Sequence, residues 1–321
     1  MCRPNQSVET PLRLLLTHES FNSTLPAKDD SNKLLQHSGH RYGLGGPDSI
    51  STLLTVCFKV IILFAVEHLV EQVINKFAHI DPILDVQRNR QVMARHLAVD
   101  FGTLAICSYL AIKNRHAVCG ELFTHMKSWG KSDSMREEDA EKRIFEYHPS
   151  SQRLMVWFAA YQAKNMYDTL YWGDGLPFIV HHLFAGVTVW NGMFPGCCQF
   201  YALFYFGISE LSTAILCLLS NFDDDFGVAG LDQVFPKTKL VLGSLFVISF
   251  IICRCIMWPF VTHYFFKDTS AALASKNPLT ASRKNAINLL RLCCSVLSFI
   301  QLVFVAMIVQ TGKEEIAKLM G

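Results

Sequence analysis

The chain has 321 residues, of which 51% are hydrophobic and 17% charged, with a formal net charge of +2. A soluble domain averages about 25% charged residues, and here the deficit is concentrated in long stretches that carry almost no charge. That pattern excludes an ordinary soluble globular domain, and the near-neutral balance without a long basic run gives no sign of a nucleic-acid partner.

Residues 1–49 are rich in Ser, Asn, Asp, Lys, Gly and Pro. A segment such as "SGHRYGLGGPDS" cannot build a core, so a disordered polar tail is expected. Leu14, Leu15 and Leu16 form too short an apolar region for a signal peptide. Residues 50–89 hold the first hydrophobic helix and a loop. The apolar run is Ser51 to Ile74, and Glu67, His68 and Glu71 in its last third suggest that this part leaves the membrane. A second span is expected from His96 to Ile112. A charged stretch of mixed sign follows, centred on "SDSMREEDAEKR", and reads as a solvated loop with at most a short helix.

Three spans then come in quick succession, from Arg153 to Trp172, Leu176 to Phe194 and Cys198 to Leu219. The connections "GDG" and "PG" are so short that the three must be antiparallel neighbours. After an acidic loop, "DDDFGVAGLD", a sixth span covers Lys239 to Phe266 and a seventh Ala286 to Val309. Residues 311–321 are a short polar tail. About 20 apolar residues cross a ~30 Å hydrocarbon core. The fold class is therefore all-α, a multi-pass transmembrane bundle of six to seven helices. The chain has 11 cysteines, an odd number set mostly in apolar segments, and these read as buried free thiols.

Ionisable groups inside spans are costly and usually face the bundle interior. The third span carries Lys164 and Asp168, four residues apart and able to pair on one helix face. The fourth carries His181 and His182, which point ~100° apart on a helix. One can line a cavity while the other bonds to a nearby oxygen. The fifth carries Glu210 and the sixth Arg254, a natural pair. Counting residues outward from the tight turns puts Asp168, one of the two histidines, and Glu210 at one depth. A shared polar layer is expected there. No spacing in the chain demands a metal.

Four local patterns then carry a resemblance over residues 90–310: the aromatic-flanked Asp of "YDTLYW", the double histidine of "VHHLFAG", the segment "ISELST", and the Arg before Trp-Pro in "RCIMWPF". The chain resembles TLC-domain membrane proteins, the family of the translocating-chain-associated proteins, the Lag-type ceramide synthases and the CLN-type lipid-homeostasis proteins. The resemblance implies a membrane bundle of the endoplasmic reticulum or a related endomembrane, concerned with lipids. His181 and His182 are similar to the catalytic pair of the synthase branch. That branch also has a His-Asp-x-Ser-Asp segment one span later, where this chain has Phe206 to Glu210 and keeps only the last acid. The chain is thus more similar to the non-synthase members.

Three functions follow from the resemblance, one of them a transport or protein-translocation accessory as in the family's translocating-chain-associated branch; the other two concern lipids. One is lipid homeostasis, by binding membrane lipids or acyl chains in an intramembrane polar cavity, with no cofactor. The other is acyl transfer to a lipid amine or hydroxyl with acyl-CoA as co-substrate. There His181 or His182 would be the base, Asp168 or Glu210 would orient the imidazole, and Lys164 or Arg254 would bind the anionic part of the substrate.

Overall fold

A computed structural model describes residues 49–115, 137–194, 196–223 and 226–320. The polar tail, with its expected disorder, and the larger part of the charged loop after residue 115 lie outside the described residues. Among the described residues the structure is helical throughout, with no strand.

Eight helices are named in chain order. They are α1 (Ser49–Asn75), α2 (87–113), α3 (Glu137–Phe145), α4 (Pro149–Trp172), α5 (Leu176–Met193), α6 (Gln199–Phe222), α7 (Pro236–Ala274) and α8 (Pro278–Met320). By length and composition, α1, α6, α7 and α8 are apolar enough to cross a membrane. Buried polar residues lie on α2, α4 and α5 and also on α6, α7 and α8, among them Glu210, Arg254 and Asp268. Most of the outward side chains of α1, α7 and α8 are apolar, as a lipid-facing surface requires.

The tight turns fix the centre of the bundle. Gly173 closes α4 with φ 74° and Gly175 opens α5 with φ 104°. Both angles lie in left-handed territory that favours glycine. Between them, Asp174 accepts from the Arg95 guanidinium at 2.6 and 3.3 Å and from Thr169 Oγ1 at 3.1 Å. The second helix therefore clamps the α4–α5 hairpin. Helix α4 also packs on α1, α5 on α8, and α6 on both α2 and α7.

Three helices carry a π-helical segment: Arg95–Phe101 in α2, Phe204–Ile208 in α6 and Ile251–Met257 in α7. Such segments add one residue to a turn and frequently mark functional positions. The one in α6 bulges where α6 meets α2 most closely. A Cβ on Gly207 would lie 2.3 Å from the Ala111 Cβ, and Ser108 donates to the Gly207 carbonyl at 3.0 Å.

Helix α1 runs unbroken to Asn75, and Glu67 turns inward to an ion pair. One expectation from the sequence needs correction. The short helix allowed at the end of the charged stretch is present as α3, but it is not solvated: its Ala140, Ile144 and Phe145 are buried. Its Arg143 is buried as well and makes a two-point ion pair with Asp268 of α7, at 2.5 and 2.8 Å.

Candidate functional site

A narrow cavity runs between α4, α5, α6, α7 and α8. Its wall follows helical periodicity. On α5 it is His181, Ala185, Thr188 and Gly192, spaced four, three and four residues apart. That stripe is one face of a helix. Tyr201 and Tyr205 continue the wall on α6, Trp258 and Phe265 on α7, and Leu290 and Cys294 on α8.

The lining is almost wholly apolar, and polarity gathers at one end. There His181, Glu210 and Arg254 all line the cavity. Arg254 Nη2 lies 2.9 Å from Glu210 Oε1 and donates to Thr213 Oγ1 at 2.9 Å. The guanidinium also stands 5.1 Å over the Trp258 ring. Both charges are buried and paired, which is the condition for holding them in an apolar surround. His181 differs. Its Nδ1 is buried and has no hydrogen-bond partner among the described residues. Its ring stands edge-on to His182 and Phe304.

The α6 bulge puts Glu210 in this position. Tyr201 and Tyr205 face the cavity four residues apart, and a regular helix would next present Ser209. The π turn, with Ser209 N bonded to the Phe204 carbonyl at 2.9 Å, absorbs one residue and presents Glu210 instead. No residue pattern in the sequence announces that shift.

The two histidines part company. His182 turns toward α4, where its Nδ1 lies 2.9 Å from the Gln162 side-chain oxygen and its residue is buried. His181 alone lines the cavity.

Asp168 does not line the cavity that His181 and Glu210 line, so the shared site expected from the turn arithmetic is divided between two clefts. Asp168 lies four residues after Lys164, on the face of α4 that packs against α1, and so it lines a different cleft. In that outer cleft the Lys164 ammonium is 2.6 Å from both Asp168 oxygens and 2.5 Å from Glu67 of α1. It also sits 4.5 Å over the Phe64 ring. Tyr167, Tyr171, Glu71 and His68 complete the cleft. Nearby on α2, Arg95 Nε stands 3.7 Å from Asp100, five residues away on the π segment.

Sequence reasoning missed Glu67 as a partner of Lys164, Asp174 as the acceptor for Arg95, and the Arg143–Asp268 pair with the Tyr201 hydroxyl bonded to it. Arg143 and Asp268 lie 125 residues apart in sequence, so only the tertiary fold brings them together. Among the described residues no group of three His, Cys, Asp or Glu side chains is placed to hold a metal ion.

No curated protein and no solved structure matches the chain. The model of one family, described as the TLC domain, matches residues 97–310. That stretch runs from the π segment of α2 to the apolar end of α8 and takes in every residue that lines the inner cavity. The chain belongs to the TLC-domain family of membrane proteins.

Proposed function

We propose that the inner cavity holds the acyl chain of a membrane lipid, and that the protein acts in membrane lipid homeostasis by binding it. One observation carries this reading: a narrow apolar tube with all its charge at one end. His181 and Gly192 mark the two ends on α5, and the step of eleven residues from one to the other spans about 16 Å of helix. The shape and polarity match an extended hydrocarbon chain with a polar group at its head. The Arg254–Glu210 pair and the unpartnered His181 Nδ1 offer that head group both a donor and an acceptor. Ligand sites of this kind join an apolar wall to a few converging polar groups. Lys164 and Asp168 stand outside this tube, so under this reading they support the bundle.

The full chain purified in mild detergent tests it. Lipid extracts analysed by mass spectrometry should contain a retained acyl lipid at near-stoichiometric level. Replacing Ala185, midway along the tube, by Trp should expel it. Extracts empty of acyl lipid, or unchanged by Ala185→Trp, would defeat the proposal.

The unpartnered His181 Nδ1 favours a second reading, acyl transfer from acyl-CoA to a lipid amine or hydroxyl. Here His181 takes the proton from the attacking amine or hydroxyl, which needs a nitrogen free to accept it, and returns it to the CoA thiolate as the thioester C–S bond breaks and the new C–N or C–O bond forms. Arg254 then faces the developing oxyanion. Incubation with labelled acyl-CoA and sphingoid or glycerolipid acceptors would yield acylated product, lost in His181→Ala. Residence in the endoplasmic reticulum or a related endomembrane goes with either reading, and a fluorescent fusion imaged beside organelle markers would test it.

A further inference from the structure

We infer that Met155 and Gly192 set the length of acyl chain that the tube accepts. The inference rests on the acyl-binding reading above. The two residues face each other across the end of the tube remote from His181, on the antiparallel helices α4 and α5. Gly192 has no side chain, and the Met155 thioether occupies the space this leaves. A Cβ built on Gly192 would stand 2.8 Å from Met155 Sδ.

Everything else at that end is pinned. The Gln199 side-chain amide donates to the Gly192 carbonyl at 3.2 Å and to Gln152 at 3.0 Å. The Cys198 amide donates to the Ile144 carbonyl of α3 at 2.7 Å. Tyr201 is bonded through its hydroxyl to Asp268, which in turn holds Arg143 of α3. These groups are buried and mutually bonded, and they form a rigid floor. Met155 is the exception. Its unbranched side chain has rotatable bonds and no hydrogen bond to hold it.

The tube thus has a fixed head and a fixed floor, with one adaptable side chain in the last stretch of wall. Adding a methyl at Gly192 drives the Met155 side chain into the tube and shortens it. Trimming Met155 lengthens it. Each methylene that loses its buried place lowers affinity about fourfold, so small changes of depth give clear shifts of preference.

The experiment offers the full-length purified protein an equimolar mixture of myristic, palmitic, stearic and arachidic acids. The bound species are read by native mass spectrometry. Gly192→Ala is expected to move occupancy toward shorter acids and Met155→Ala toward longer ones, each by about fourfold per methylene. Met155→Val gives the same sign in smaller amount if Met155→Ala fails to fold. Retention of fatty acid with an unmoved length distribution in the variants overturns the inference and leaves the acyl-binding reading standing. Failure of the unaltered protein to retain any fatty acid overturns both.

Discussion

The two clefts of this bundle sit on opposite faces of the α4–α5 hairpin and treat charge in opposite ways. In the outer cleft, between α1 and α4, Lys164 is gripped by two carboxylates and covered by a phenyl ring. In the inner tube, Arg254 and Glu210 pair with each other, and a histidine beside them keeps a buried nitrogen unspent. Buried ions whose partners are all supplied from within hold helices in register. A buried polar atom with no partner, at the end of an apolar cavity, is a place for something else to bind. Under the acyl-binding proposal, the contrast gives the outer cleft an architectural role and the inner one the ligand.

The strongest way to break that contrast is at Lys164. Lys164→Ala leaves Glu67 and Asp168 facing each other without their cation, a loss of ~3–5 kcal/mol. The triple variant Lys164→Ala, Asp168→Asn, Glu67→Gln should regain most of it. Melting of the detergent-solubilised protein, followed by size-exclusion fluorescence, measures both. If the triple variant melts no higher than the single, the three groups do not act as one unit.

The inner pair gives the next largest effect. Arg254→Met strands one buried carboxylate, at a cost of about 3 kcal/mol. Adding Glu210→Gln should restore the melting temperature and leave lipid retention impaired. Recovery of both together would make the pair merely structural and erase the difference between the clefts.

The histidines give the smallest and sharpest test. His182→Ala removes the partner of the buried Gln162 side chain, which costs about 1–3 kcal/mol. His181→Ala gives up two ring contacts and some buried ring surface but strands no hydrogen-bond partner, so it should cost less than His182→Ala. The same two variants should rank the other way in retained lipid. Equal effects of both on stability and on binding would show that the sequence pair works as one group.

Much of this arrangement is legible in the sequence, because it rests on local geometry. The Lys164–Asp168 pair follows from four-residue spacing on a helix. The divergence of His181 from His182 follows from the turn per residue, and the antiparallel hairpins follow from "GDG" and "PG". What stayed hidden depends on how helices rotate against one another. Asp168 and Glu210 each match His181 in their count from the turn they share with it, yet residue counting carries no information about which face of α4 meets α1. The burial of Arg143 was equally illegible. Its neighbours are charged, and its partner Asp268 comes from a helix more than a hundred residues later. Glu210 reaches the tube only because α6 departs from regular helix geometry.

That departure bears on how such chains can change length. A π turn holds one residue more than its path needs, so the helix on either side keeps its facing whether or not that residue is present. A single-residue deletion within 204–208 would return α6 to an ordinary winding and still leave Glu210 directed at Arg254. The same deletion in the regular stretch between Tyr201 and Phe204, or after Glu210, would turn all that follows by ~100° and carry the polar end of the tube into lipid or packing. The π segments of α2, α6 and α7 are therefore the points of slack in this bundle. They are where insertions and deletions can accumulate within a span, and where residues of equal role in related chains will fall out of register by one.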